Sequence, residues 1–598
     1  MELTRATRLA IISILISMCS ANLAVILLVD SPASGFEESI FTATPPLVWF
    51  LVACCFTAGI AVITGEVITG RVETSGVWRV GILNVLLGFA TLLSIWILRG
   101  YAFWSPADPL DHAALTSDLA ATGEVSDNNF YPGLHIFSAI ISLCAGIDVI
   151  SLTKLLPLLT AMLFVLFMIA FLRKILTNKS ALVISVLFSA LPIYGWYLSF
   201  TPNHFSVLVF PFALWILFQK MSARENRWDL ILILILITTP IMHPIVSIVL
   251  ISLIGVFLAM RMFADMKGQT QRTRVYKGCL AGATLVLAVT WAVMWISQFY
   301  VMDRAIKGFV SAVTGSANSS YEVLEGKMGY VEGLGYSPIL IFAVQYCGIL
   351  LLISNGLAYY IFSLAKRPES QSEQNARLVS YAAIGIAAVM LVLLPLQIGA
   401  SPLRLLVFIG ILLTPAAGLA VSNNAQHAES NEKRKKVVFA VVAAMLIIIS
   451  LLGIVTVYPS KVAYAANIQV TESELSGMKW FINNRLASAH SSGLTDLPIR
   501  FAGLSLTLEE RADSERLRNL RWDPRVSAHL GYGNHTSMDE VFDDTTYLIL
   551  TKKDLQYQTV FPHVEDFEIL GDDLQRLTQD VSVNHIYSNG EYDIYYIS

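Results

Sequence analysis

Runs of about 20 mostly apolar residues, each long enough to cross a hydrocarbon layer, recur thirteen times before residue 459. They fall at 9–29, 46–65, 80–98, 150–172, 181–198, 205–219, 229–241, 244–262, 278–301, 338–364, 378–395, 403–421 and 437–458. A chain of this kind folds as lipid-facing helices, because in hydrocarbon each backbone N–H and C=O must be satisfied within its own element. Composition agrees: 14% of the 598 residues are charged and mean hydropathy is +0.63, where a soluble domain carries about 25% charge. A soluble globular enzyme, a disordered chain and a disulfide scaffold are thereby excluded. The first run follows Arg5 and Arg8 as a secretory signal would. Its length, and the lack of a small-x-small cleavage site after it, favour a retained span.

Loop charges set an expected orientation. Alternate loops carry Arg5/Arg8, Arg71/Arg79, Arg173/Lys174/Lys179, Lys220/Arg224/Arg227, Arg261–Lys277, Lys366/Arg367/Arg377 and Lys433–Lys436, and the others are poor in Lys and Arg. This pattern places the N-terminus in the cytoplasm and everything after 458 outside the cell membrane. Residues 459–598 hold 12 Lys+Arg and 21 Asp+Glu, against 40 and 44 in the whole chain. The expected architecture is thus an α-helical polytopic membrane body, 1–458, with a small acidic extracytoplasmic α/β domain, 459–598. Residues 133–147 are apolar but short, and read as a helix lying at the outer interface. Pro240 and Pro244 break the pair 229–262, and broken backbone at membrane depth belongs at a cavity wall.

On the expected outer side, loop 99–135 concentrates Asp108, Asp111, Asp118, Asp127, His112 and His135. A helix starting near Pro109 puts Asp108 and His112 on one face, four residues apart. Asp108 can be that helix's N-cap or a reactive carboxylate. His204, His243, Arg304, Lys307 and Arg404 converge on the same side. Arg404 can snorkel to the interface or clamp a phosphate, and His243 can be a satisfied structural histidine. A carboxylate cluster facing a cation suits group transfer from a phosphate-linked donor: the carboxylate takes a proton from an acceptor hydroxyl, and the cation stabilises the leaving phosphate. Asp108 and Asp111 can also hold a divalent ion.

Three motifs, Asp108-Pro-Leu-Asp111-His112, Leu119-Ala-Ala-Thr-Gly123 and Tyr131-Pro-Gly-Leu-His135, resemble the first external loop of the GT-C superfamily of membrane glycosyltransferases. That resemblance implies a polyprenyl-phosphate sugar donor and a glycan, lipid or protein acceptor. It implies Asp108, or else Asp111, as general base in an inverting transfer. His112, His135, Tyr131 and His204 would position base or donor, and His243 and Arg404 would hold phosphate. Three spans precede the loop here, two more than the one that many members have, and the WWDYG motif of oligosaccharyltransferases is absent. Two other readings stand beside this one: a transporter or flippase, suggested by the span count and the broken pair, and a glycan polymerase or ligase with arginine-dominated chemistry. No nucleic-acid partner is expected.

In the tail, Thr471 and Glu474 form a capping-box pattern, 547–550 reads as a buried strand, and Ser588-Asn589-Gly590 turns a hairpin. The charged run 510–525 reads as a solvated helix. Glycosylation tripeptides begin at Asn318 and Asn534.

Overall fold

A computed structural model describes the chain except residues 1–4, 128, 195–196, 223–224, 267–281, 300–302, 304–305, 308–309, 311–313, 315–337, 366–367, 369, 394–403, 428–431, 461–464, 495, 513–516, 521–525, 527, 561–568 and 570. Arg304, the tripeptide at 318–320 and part of the run 510–525 lie outside the described residues.

The body begins with α1 (Arg5–Val29), α2 (Pro46–Ile68) and α3 (Trp78–Leu98). Two shorter helices follow, α4 (Asp108–Thr122) and α5 (Gly133–Ala145). The remaining helices are α6 (Val149–Ile175), α7 (Lys179–Ala190), α8 (Pro202–Ser222), α9 (Asn226–Met242), α10 (Pro244–Met266), α11 (Gly282–Ile296), α12 (Pro338–Leu364), α13 (Gln371–Leu393), α14 (Leu405–His427) and α15 (Glu432–Val457). Each expected apolar run contains a helix, although the run 181–198 is helical only to Ala190 and, within the run 278–301, the described helix covers Gly282–Ile296. Among the described residues, nine helices are long and apolar enough to cross a membrane, and α5, α7, α10 and α11 are shorter apolar helices. The chain is a multi-pass membrane protein. The central helix is α14: 89% of its apolar window is buried, against 33% for α1. Arg404 therefore sits at the start of the helix around which the bundle is packed.

The break between α9 and α10 is sharper than the two prolines imply. Pro240 stays inside the last turn of α9, and only His243 leaves helical geometry, at φ −168° and ψ 132°. The residue preceding a proline is pushed to extended backbone, so Pro244 holds His243 out of both helices.

The tail carries a sheet of β3 (His490–Ser492), β4 (Thr546–Thr551), β5 (Val583–Ser588) and β6 (Tyr592–Ile597), in the order β3-β4-β6-β5. The β3–β4 pair is parallel and the others are antiparallel. All six residues of β4 are buried. Helix α16 (Glu472–Asn484) packs Met478 and Phe481 into the same apolar cluster as Tyr592 and Ile594. Its N-cap is half a capping box: Thr471 accepts from the Glu474 N–H at 3.0 Å, but the Glu474 carboxylate turns inward to Lys553 at 3.2 Å. Lys553 also pairs with Asp496 at 2.6 Å, and all three side chains are buried. Desolvation works against the ammonium, but the two carboxylates outweigh it and raise the Lys553 pKa.

Tail and body are knitted together by residues 35–37 and by a two-stranded ribbon, β1 (Phe103–Trp104) against β2 (Gln469–Val470). The Glu37 carboxylate pairs with the buried Arg99 and accepts from the Tyr101 hydroxyl at 2.6 Å. Its backbone carbonyl accepts from Asn467 at 2.7 Å and its N–H donates to Gln469 at 2.8 Å. Glu591, in the β5–β6 turn, accepts from the Phe36 N–H at 2.8 Å, and a Cβ on Gly35 would collide with its carboxylate. Removing one partner of a buried ion pair costs about 3–5 kcal/mol. Glu37→Ala is thus expected to lower the unfolding temperature of the detergent-solubilised protein and to let trypsin release the tail. Unchanged melting and proteolysis would show that this pair does not hold the two parts together.

Candidate active site

The site is assembled at the tail-side end of the bundle from five separate pieces of chain. Helix α4 begins with Pro in its first turn and two acids, Asp108 and Asp111, near its N-terminus, where the helix dipole favours them. Gly123, at φ +75°, ends it in the left-handed conformation that glycine tolerates. Asp108 is the first helical residue and makes no capping hydrogen bond. Its carboxylate instead meets Arg500 of the tail, with Oδ1 3.1 Å from Nη1, and the same guanidinium nitrogen pairs with Asp111. The cation between these two carboxylates is thus a guanidinium. Among the described residues, no cluster of three or more His, Cys, Asp and Glu side chains could hold a metal.

One turn along α4, His112 points inward. Its Nδ1 lies 3.0 Å from His135 Nε2, and His135 Nδ1 lies 2.8 Å from Asn129 Nδ2. An amide nitrogen only donates. With the Asn129 amide in this orientation, His135 accepts at Nδ1 and donates from Nε2, and His112 keeps its own hydrogen on Nε2. Burial, then the neighbouring His243 and His204, hold the His112 pKa down to about 3. Burial and His112 hold His135 at about 3 as well. Both rings are therefore neutral donors and acceptors at physiological pH. A Cβ on Gly133 would stand 3.1 Å from the Met242 Cα. The glycine thus lets the start of α5 press against the end of α9, beside His243.

Asp108, His112, Tyr131, His204, His243 and Arg404 line one cavity of about 330 Å³. The rings of Tyr131 and His243 stack with centroids 5.6 Å apart, and Tyr131 meets His112 edge-on at 5.7 Å. Burial and the Arg404 charge lower the His243 pKa to about 4, and its Nδ1 accepts from the Ile245 N–H. Burial, then Asp108, raise that of Tyr131. His204 Nδ1 lies 2.8 Å from the Thr201 hydroxyl. Ser105, at the rim, has φ +80°, a strained backbone for a side-chain-bearing residue and one found most often at functional sites. Two expected site residues stand apart. Asp111 lines a neighbouring cavity of about 200 Å³, and His135 is buried behind His112, so it supports the site rather than facing it.

A larger cavity of about 460 Å³ adjoins the first and shares Ser105, Ser199 and His204 with it. Its other walls include Ile193, Leu198, Val344, Ile349, Leu406 and Val457. It is a mostly apolar chamber beside a cation-bearing one. Arg500 and Asn129 were not among the residues expected at the site. Arg500 lies 389 positions from Asp111 in a tail whose sequence carries no catalytic constellation, so no local signal marks it. Asn129, within the acid-rich loop, carried no helical spacing to single it out.

The family model described as a family of unknown function (DUF6541) matches residues 40–365. No curated protein matches. Among solved structures, the chain is similar to the archaeal oligosaccharyltransferase AglB of Archaeoglobus fulgidus, in complex with an inhibitory peptide and a dolichol-phosphate. The match is at 11% identity and TM-score 0.47, covering 80% of this chain and 70% of that one. It is also similar to ArnT of Cupriavidus metallidurans bound to undecaprenyl phosphate, at 11% identity and TM-score 0.43, covering 87% and 98%.

Histidines kept neutral by burial, His112, His135 and His243 among them, set a pH dependence. A histidine held neutral in the fold contributes stability that is complete above its unfolded pKa of about 6.5, and loses it as pH falls toward the folded value. At pH 5 each is expected to contribute about 2 kcal/mol less than at pH 7. The melting temperature should fall over this interval, and fall less steeply in His112→Asn. An equally steep fall in the variant would place the pH dependence elsewhere.

Proposed function

The chain belongs to the family of unknown function DUF6541, and within it we propose a membrane glycosyltransferase that moves a sugar from a polyprenyl-phosphate carrier to an acceptor hydroxyl. One observation carries this: the cavity holding Arg404, His204, His243 and Asp108 lies against a mostly apolar chamber, with Ser105, Ser199 and His204 lining both. A ligand matching both has a charged phosphate head and a hydrocarbon tail. The three motifs in loop 99–135 support the same reading, and so does the charge pattern that sets this end of the bundle on the extracytoplasmic side.

The carrier phosphate sits against Arg404, with His243 and His204 beside it, and the isoprenoid lies along the apolar chamber. The acceptor oxygen attacks the anomeric carbon from the side opposite the phosphate and forms the new C–O bond. The old C–O bond breaks, its electron pair leaves on the carrier phosphate, and the hydroxyl proton passes to the Asp108 carboxylate. Configuration inverts in this single displacement. Arg404 stabilises the charge growing on the phosphate, an electrostatic contribution that increases toward the transition state. Neutral His112, anchored through His135 to Asn129, donates a hydrogen bond without adding a charge that would draw the proton from Asp108.

Membranes containing the protein, supplied with radiolabelled polyprenyl-phosphate sugars, are expected to release the label to an acceptor fraction. Loss of a general base typically lowers the rate about 10²–10⁴-fold, so Asp108→Asn should abolish transfer while the protein stays in the membrane. Arg404→Ala should weaken binding of undecaprenyl phosphate about tenfold or more, as loss of a charge-assisted hydrogen bond does. Full transfer by the Asp108→Asn/Asp111→Asn double variant would sink the assignment. Movement of the carrier across liposomes without sugar transfer would identify a transporter instead.

A further inference from the structure

The geometry points to the 200 Å³ cavity on the other side of Asp108 as the acceptor site, built for a single sugar ring, with Arg500 of the tail as its specificity-determining residue. This rests on the reading of the larger cavity as the donor site.

Asp108, His112 and Tyr131 line both cavities, so they form the wall between them. A base in that wall can take a proton from a molecule on one side while the leaving group departs on the other. The rest of the smaller cavity has the chemistry of carbohydrate binding. Asp111 and Arg500 supply charged acceptors and donors for hydroxyls. Phe130 and Tyr131, with ring centroids 3.9 Å apart, supply aromatic surface for the C–H face of a ring. Asn129 lines this cavity and is 8% exposed, yet its Oδ1 has no hydrogen-bond partner. A small turn of the Asn129 side chain would bring this unmatched acceptor to a ligand hydroxyl in the cavity. The volume lies below the roughly 300–1,000 Å³ typical of sites for larger ligands, which favours one ring over an extended peptide. Arg500 closes the cavity on the tail side, so one side chain serves both a tail–body contact and acceptor recognition.

The test uses the full chain in lipid nanodiscs, with methyl hexopyranosides as acceptor probes followed by saturation-transfer NMR and undecaprenyl phosphate as the donor-side probe. Wild type should bind at least one glycoside. Leu115→Trp, which places an indole in the cavity, should abolish that binding, and Arg500→Ala should weaken it about tenfold. Both variants should bind undecaprenyl phosphate as wild type does. The acceptor assignment is overturned if no glycoside binds wild type, if a Ser/Thr peptide binds and glycosides do not, or if either variant keeps full glycoside binding. Failure of undecaprenyl phosphate to bind wild type would overturn the donor reading, and loss of glycoside binding in Leu115→Trp would still support the smaller cavity.

Discussion

The Arg99–Glu37 pair is the interaction on which the rest of the arrangement depends. Arg99 ends α3 with its side chain almost wholly buried and donates to the Ser31 carbonyl at 2.7 Å as well as to Glu37. A guanidinium in that position requires a carboxylate, because an unpaired buried charge is several kcal/mol unfavourable. Satisfying it fixes residues 35–37 against the end of the bundle. The backbone of those residues then receives Asn467, Gln469 and Glu591 from the tail. The tail is held at several points, and α17 (Pro498–Ser505) consequently meets α4 in one orientation. Arg500 reaches Asp108 and Asp111 from there, and Arg511 reaches Asp118.

A second constraint explains where the polar groups gather. Backbone within hydrocarbon must stay helical, so irregular chain and titratable side chains collect at helix ends. His243 occupies the single extended residue between α9 and α10, and Arg404 the residue before α14. His112 and His135 lie on two short helices that pack on each other outside the long spans. Burial keeps these imidazoles neutral, leaving Arg404 and Arg500 as the cations of the two polar cavities, one on each side of Asp108.

Much of this was legible in local patterns. The apolar runs marked the long helices of the body. The spacing of Asp108 and His112 put both on one face of α4, and Pro244 marked the break that exposes His243. Where the local reading failed, a distant partner won. Asp108 matches an N-cap by residue type, but Arg500 takes its carboxylate, and Glu474 matches a capping box, but Lys553 draws it into the tail's interior. Arg511 belongs to a run that reads as a solvated helix, yet it is paired with Asp118 of the body.

The sequence by itself determined that the protein is a helical membrane body with a separate acidic tail, and which loop concentrates the carboxylates. Those features follow from hydropathy, periodicity and charge, which act over neighbouring residues. Only the tertiary structure decided that residues from 108 to 500 share one wall and two cavities, that His135 stands behind His112, and that the tail lends a cation to the acids of the body. Those outcomes depend on how helix ends far apart in the chain are packed against one another, and no local pattern carries that distance.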